Sequence, residues 1–207
     1  MRTFVYVDGF NLYYGALKGT PWKWLDLPAL FGKVLQPHHD ILKVKYFTAR
    51  VSGTPADPAK SQRQDVYLRA LRRYRSEVEV YFGHFMSHKV RAPLARPFAN
   101  QRTVEVIRTE EKGSDVNLAV HLLNDGWLDA YDCAVVVSND SDIAEAMRLV
   151  KQNHGKRIGL VTPGTRHPSR QLMAHADFAR HMRLNALRRS QLPDPIPGTA
   201  IRKPPSW

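Results

Sequence analysis

Three observations predict an α/β fold with a doubly wound, mostly parallel sheet. Short apolar runs alternate with stretches of helical spacing along most of the chain. One of those runs, from Ala134 to Val137, reads as a buried strand. Two of the runs end on an acid followed by a helical segment, Asp8 in the first and Asp140 in a later one. In such sheets ligands bind beyond the carboxyl ends of the strands, where the strand order reverses.

"TFVYV" (3–7) is the first strand, followed by a helix in "NLYYGALKG". Residues 26–35 read as a helix starting at Asp26, with Pro28 in its first turn. "LKVKYFTARV" (42–51) is the second strand and "SGTPADP" a loop. Residues 59–75 place Val66, Leu68, Leu71 and Tyr74 among bases, which predicts a helix with a basic face. "VEVYFGHF" (78–85) is the third strand, and residues 86–101, interrupted by Pro93 and Pro97, are expected to loop. "TVEVIRT" (103–109) reads as an extended run, a hairpin partner at an edge. Residues 114–124 form a helix that Ser114 or Asp115 can cap. "CAVVVS" is the fourth strand, 141–153 its helix, and "KRIGLVTP" the fifth strand. The expected organisation is one domain over 1–183 and a basic, Pro-rich tail over 184–207. The tail lacks periodicity and is expected to be mostly disordered.

No apolar run approaches the ~18 residues of a membrane helix, and no leader segment is expected at the N-terminus. Cys133 is the single cysteine. It excludes a disulfide within the chain, fits a reducing, cytoplasmic setting, and reads as a core thiol. The net charge of +12 favours polyanionic partners, nucleic acid first among them. The charge is uneven. Residues 43–108 carry 14 Lys/Arg against 5 Asp/Glu, whereas residues 109–162 carry 5 against 9.

That acidic segment raises a physical problem. Asp140 and Asp142 sit two residues apart in the joint between a buried strand and a helix. Either alone could cap the helix, as Asp115 could cap its own. Asp8 lies between a buried strand and Gly9, with no obvious local cap to serve before Asn11. If the first and fourth strands are neighbours, these acids converge. Desolvated like charges raise one another's pKa unless a cation sits between them. Hard divalent cations such as Mg²⁺ take carboxylate oxygens, commonly one or two together with waters and substrate phosphate.

Three stretches carry a resemblance. "YVDGFNLYY" (6–14), "EEKGSDVNLAVHLL" (110–123) and "VVVSNDSDIAEAM" (135–147) resemble, in order, the three motifs of the NYN domain, in the LabA-like branch of the PIN-like nuclease superfamily. The resemblance covers about residues 3–180, with Asn139 where Gly is common and Ile143 where Phe is common. It implies a three-layer PIN-like fold with a five-stranded sheet in the order 3-2-1-4-5. It implies a ribonuclease dependent on Mg²⁺ or Mn²⁺, with Asp8, Asp115, Asp140 and Asp142 as the acidic metal cluster. Asn11 resembles the polar partner of the first Asp, and Ser138 the hydroxyl that supports the cluster. Lys112 matches the motif lysine, placed to contact phosphate or hold a carboxylate. Glu111 is a weaker candidate, readable as a solvated loop acid.

The expected partner is RNA, single-stranded by preference. Arg63, Arg69, Arg72 and Arg73 on the basic helix would carry phosphates, and Tyr13 would stack a base. Arg166, Arg170 and Arg180 would extend a basic rim. A non-catalytic RNA-binding regulatory module is the alternative. Oligomeric state stays open between monomer and homodimer.

Overall fold

The computed structural model describes residues 1–98, 101–165, 167–205 and 207. Arg166 therefore lies outside the described residues.

The sheet has seven strands: β1 (Arg2–Asp8), β2 (Asp40–Ala49), β3 (Val78–Phe98), β4 (Gln101–Lys112), β5 (Cys133–Val137), β6 (Arg157–Thr162) and β7 (Phe178–His181). They lie in the order β4-β3-β2-β1-β5-β6-β7. Only the β3–β4 pairing is antiparallel. The expected five-strand sheet survives as the central run β3-β2-β1-β5-β6, but the count of five is wrong on both sides. β7 adds a short parallel strand beside β6, pairing from Gly159↔Phe178 to Thr162↔His181. Its four residues are too few for alternation to register in sequence.

β4 is added through a hairpin, and here the expected loop over 86–101 is overturned. β2 leaves β3 at Ala49↔Gly83, and from His84 onward β3 pairs only with β4, through Pro93↔Thr103. Each strand of this ribbon keeps one open edge, the setting in which a strand proline such as Pro93 is tolerated. Val90 opposite Val106 and Ala92 opposite Val104 hold one face together.

Helices cover both faces, giving three layers. On one face pack α1 (Gly9–Leu12), α2 (Leu27–Val34), α3 (Lys60–Tyr74) and α7 (Leu184–Arg188), around Leu12, Leu30, Phe31, Leu71 and Leu187. On the other pack α4 (Ser114–Trp127), α5 (Ala144–His154) and α6 (Arg170–Met173), around Leu118, Leu122, Met147, Val150 and Leu172. Asp26 caps α2 by accepting from the Ala29 amide at 3.1 Å, and Arg75 braces the same carboxylate at 2.5 Å. Among the described residues, no helix is long and apolar enough to cross a membrane.

The C-terminal stretch is not disordered. Leu192 and Ile196 are buried in the α1–α3 core. Trp24 Nε1 donates to the Pro193 carbonyl at 3.1 Å, and the Trp207 ring lies 5.4 Å from that of Tyr67. Single apolar side chains anchor an irregular segment, so no periodic signal betrays them. Beneath the opposite face lies a buried ion pair. Lys45 Nζ donates to Asp125 Oδ2 at 2.6 Å, and the Tyr6 hydroxyl donates to the same oxygen at 2.7 Å.

Candidate active site

The strand order reverses between β1 and β5, whose neighbours lie in opposite directions. Their carboxyl ends therefore open the crevice where an α/β sheet binds ligands. Asp8 ends β1, and Ser138 follows β5. Gly9 lets the chain pass from β1 into α1 close against β2, because a Cβ there would stand 2.7 Å from the Phe47 carbonyl oxygen.

Asp8 is buried and its carboxylate is fully engaged. Oδ1 accepts from the Phe10 and Asn11 amides at 3.0 and 2.9 Å. Oδ2 accepts from Asn11 Nδ2 at 2.6 Å and from the Ser138 hydroxyl at 2.9 Å. Asp8 thus also caps α1. Burial pushes its pKa up, while the Asn11, Ser138 and Phe10 hydrogen bonds oppose the rise. Ser138 Oγ in turn accepts from the Asp140 amide at 3.0 Å. Asp140 caps the 3₁₀ turn Ser141–Ile143 by accepting from the Asp142 amide at 3.0 Å. The capping role open to either acid in sequence therefore belongs to Asp140.

A cavity of about 260 Å³ opens above these groups. Asp8, Asn11, Asp115 and Asp140 line it, together with Glu111, Phe10, Tyr14 and Phe85. Asp115 comes from the first turn of α4, on the other side of β1 and β2 from α3. Its pKa is pushed up to about 7, first by burial and then by the charges of Asp8, Asp140, Glu111 and Asp142. Asp142 contributes to this field but stays exposed and does not line the cavity. Lys112 is also outside it. Its ammonium pairs with Glu110 at 2.9 Å, not with any acid of the cavity.

Three contributors were obscure in sequence. Glu111 is not a solvated loop acid. Its carboxylate accepts from the Ser114 amide and hydroxyl at 3.1 and 2.7 Å, capping α4 beside Asp115. The spacing of three residues before Ser114 is the only hint of this. Gly83 makes room for it, since a Cβ at that position would come within 2.3 Å of Glu111 Oε1. Asn139 accepts from the Ser169 amide at 2.7 Å and donates to the His167 carbonyl at 3.1 Å, tying a later loop to the site. Phe85 stands edge-on to Phe10 at 5.8 Å, so the root of the β3–β4 ribbon forms a cavity wall.

Among the described residues, no three His, Cys, Asp or Glu side chains stand close enough together to hold a metal ion directly. The donor chemistry still suits a hard divalent cation, because Mg²⁺ needs only one or two carboxylates and keeps several waters. Asp115 and Asp140 are the carboxylates available for that, since Asp8 already accepts four hydrogen bonds.

The predicted RNA contacts divide. Tyr13 and Arg63 line a second cavity adjoining the first. Arg63 also forms an ion pair with Asp57. Arg69, Arg72 and Arg73 border a shallow hollow with Thr199 and Ile201 near the other end of α3. Arg69 pairs with Asp65 at 3.1 Å, and Arg72 lies over the Phe82 ring at 5.6 Å. Nine residues of helix separate Arg63 from Arg72, about 14 Å along the axis.

A three-layer α/β fold with acids gathered at the β1/β5 switch point defines the class: an α/β domain with an acidic site at the carboxyl edge of its sheet. The chain belongs to the NYN domain family, whose profile matches residues 2–182. It is 35% identical to the 6-hydroxy-3-succinoylpyridine 3-monooxygenase of Pseudomonas putida, over all of this chain and 75% of that protein. A crystallographically solved protein of unknown function from Vibrio parahaemolyticus shares the fold, with a TM-score of 0.55 and 19% identity over 89% of this chain and 94% of that one.

Proposed function

We propose that this NYN protein is a metal-dependent ribonuclease that hydrolyses RNA phosphodiester bonds. The observation that carries the reading is the meeting of Asp8, Asp115 and Asp140 at one cavity, in a chain of net charge +12. Concentrated carboxylates repel a polyanion, so a site meant only to bind RNA gains nothing from them. Asp115 and Asp140 would hold Mg²⁺ or Mn²⁺. When bound, the cation would neutralise charge on the phosphoryl oxygens and acidify water. Asp8 orients Asn11 and Ser138, and through Ser138 the Asp140 backbone. Lys60 and Arg63, at the end of α3 next to the cavity, supply phosphate attraction. The basic remainder of the chain raises the local concentration of RNA. Cleavage of labelled single-stranded RNA by the full chain, with and without Mn²⁺, tests the reading.

A second reading rests on the Pseudomonas relative, whose name assigns it oxygen insertion into a substituted pyridine. In that reading the aromatic walls Phe10, Tyr14 and Phe85 bound a small-ring substrate. Oxygen uptake with 6-hydroxy-3-succinoylpyridine and a reductant, in protein that cleaves no RNA, would favour it. Tight RNA binding with neither activity would favour a regulatory RNA-binding module.

A further inference from the structure

Next to the acidic cavity lies a second one of about 320 Å³, within the range of small-molecule sites. The two share a partition made by Phe10 and Tyr14, which line both. Those residues stand four apart on α1 and the π-helical turn Tyr13–Leu17 that continues it. Such turns are rare and recur at functional sites. The second cavity differs sharply in chemistry from the first. Its only acid is Asp57, against Lys23, Lys60 and Arg63. Tyr13, Tyr67 and Trp207 provide aromatic surface. Arg63 is mostly buried, and although its Nη2 is paired with Asp57, its Nε is buried with no hydrogen-bond partner. A buried guanidinium N–H left unpaired is costly unless an acceptor reaches it.

We infer that this second cavity is a nucleotide pocket that holds one base of the RNA and its phosphate while the adjoining phosphodiester lies over the acidic cavity. The inference rests on the ribonuclease reading and adds to it the substrate subsite. A planar base matches the aromatic walls, since stacking on aromatic side chains accepts any base. A phosphate matches the cations Lys23, Lys60 and Arg63, the last with one guanidinium N–H still without an acceptor. The shared Phe10–Tyr14 wall puts the two cavities side by side. Gln64 does not compete for ligand, because its amide is already bonded to the Val51 amide and the Ala49 carbonyl at 3.0 and 2.9 Å.

The test is calorimetric titration of the full-length protein, in EDTA, with uridine and adenosine 5′-monophosphate, ribose 5-phosphate and pyridine-3-carboxylate. The nucleotides should bind, and ribose 5-phosphate should bind at least tenfold more weakly. Lys60→Ala and Tyr13→Ala should each lower nucleotide affinity five- to fiftyfold, the former with unchanged melting temperature. Tyr13→Phe, which keeps the ring, should retain affinity. Arg63→Lys, which keeps a charge to face Asp57, should weaken it as well. Asp140→Asn should keep full nucleotide affinity. That pattern in a protein that cleaves no RNA would support the pocket and sink the ribonuclease reading. RNA cleavage without nucleotide binding, or binding indifferent to Lys60 and Tyr13, would overturn the pocket. Pyridine-3-carboxylate binding as tightly as the nucleotides would overturn it too, in favour of a small aromatic acid.

Discussion

The Ser138 hydroxyl donates to Asp8 Oδ2 at 2.9 Å across 130 residues of sequence. This bond ties the carboxyl ends of β1 and β5 together at the point where the sheet reverses order. The same hydroxyl accepts from the Asp140 amide, so one side chain sets two acids. Ser138→Ala should lower stability by roughly 1–3 kcal/mol, because both bonds are buried or nearly so. Urea denaturation measures it. An unchanged midpoint would mean that Asn11 and the Phe10 amide hold Asp8 without Ser138.

Asp115 gives the metal-free protein a distinctive pH response. Its carboxyl keeps its proton to about pH 7 in the fold, against an ordinary value of 3.8. Between those values the folded state binds more proton than the unfolded one, so stability falls as pH rises. The contribution is fully present below 3.8 and gone above about 7. In EDTA, the melting temperature of wild type should therefore drop between pH 5 and pH 8 more steeply than that of Asp115→Asn. Parallel curves would place the repulsion elsewhere.

A divalent cation should reverse that loss. Millimolar Mg²⁺ or Mn²⁺ binding only the folded state raises its melting temperature. The rise should be largest in wild type and smaller in Asp115→Asn and Asp140→Asn, which also start more stable without metal. Equal shifts in all three proteins, followed by differential scanning fluorimetry, would argue against a shared site.

The Lys45–Asp125 pair is a separate test of the fold. Both side chains are buried. Lys45→Met strands the Asp125 carboxylate with the Tyr6 hydroxyl and should cost about 3–5 kcal/mol. The double variant Lys45→Met with Asp125→Leu should recover most of that loss. Failure of the double variant to recover, by urea denaturation, would show that the packing of Lys45 matters more than its charge.

The central strands and the acids were readable in sequence for one reason. β1, β5 and β6 are buried on both faces, so their apolar runs are nearly continuous, and Asp8 and Asp140 follow those runs where a joint must fall. Neither the ribbon nor the tail has that property. Val90 and Val106 hold a ribbon whose faces are otherwise mostly exposed, and two prolines mimic a loop. Leu192, Ile196 and Trp207 dock one by one on a core built by distant helices. Removing residues 191–207 should accordingly cost about 3 kcal/mol or more from Leu192 and Ile196 burial alone. Asn139 was hidden because its partners Ser169 and His167 lie on a loop returning from elsewhere in the chain, and Glu111 because its spacing from Ser114 is the one local sign of its cap.

The most direct test of the central claim is cleavage of labelled single-stranded RNA by wild type and Asp140→Asn, each in Mn²⁺ and in EDTA. Wild type should cleave in Mn²⁺ and stop in EDTA. Asp140→Asn should not cleave in either, yet should bind the RNA as tightly as wild type or more so, since a negative charge beside phosphate is gone. Cleavage that survives Asp140→Asn or EDTA, or metal-loaded wild type that binds RNA and leaves it intact, would contradict the account.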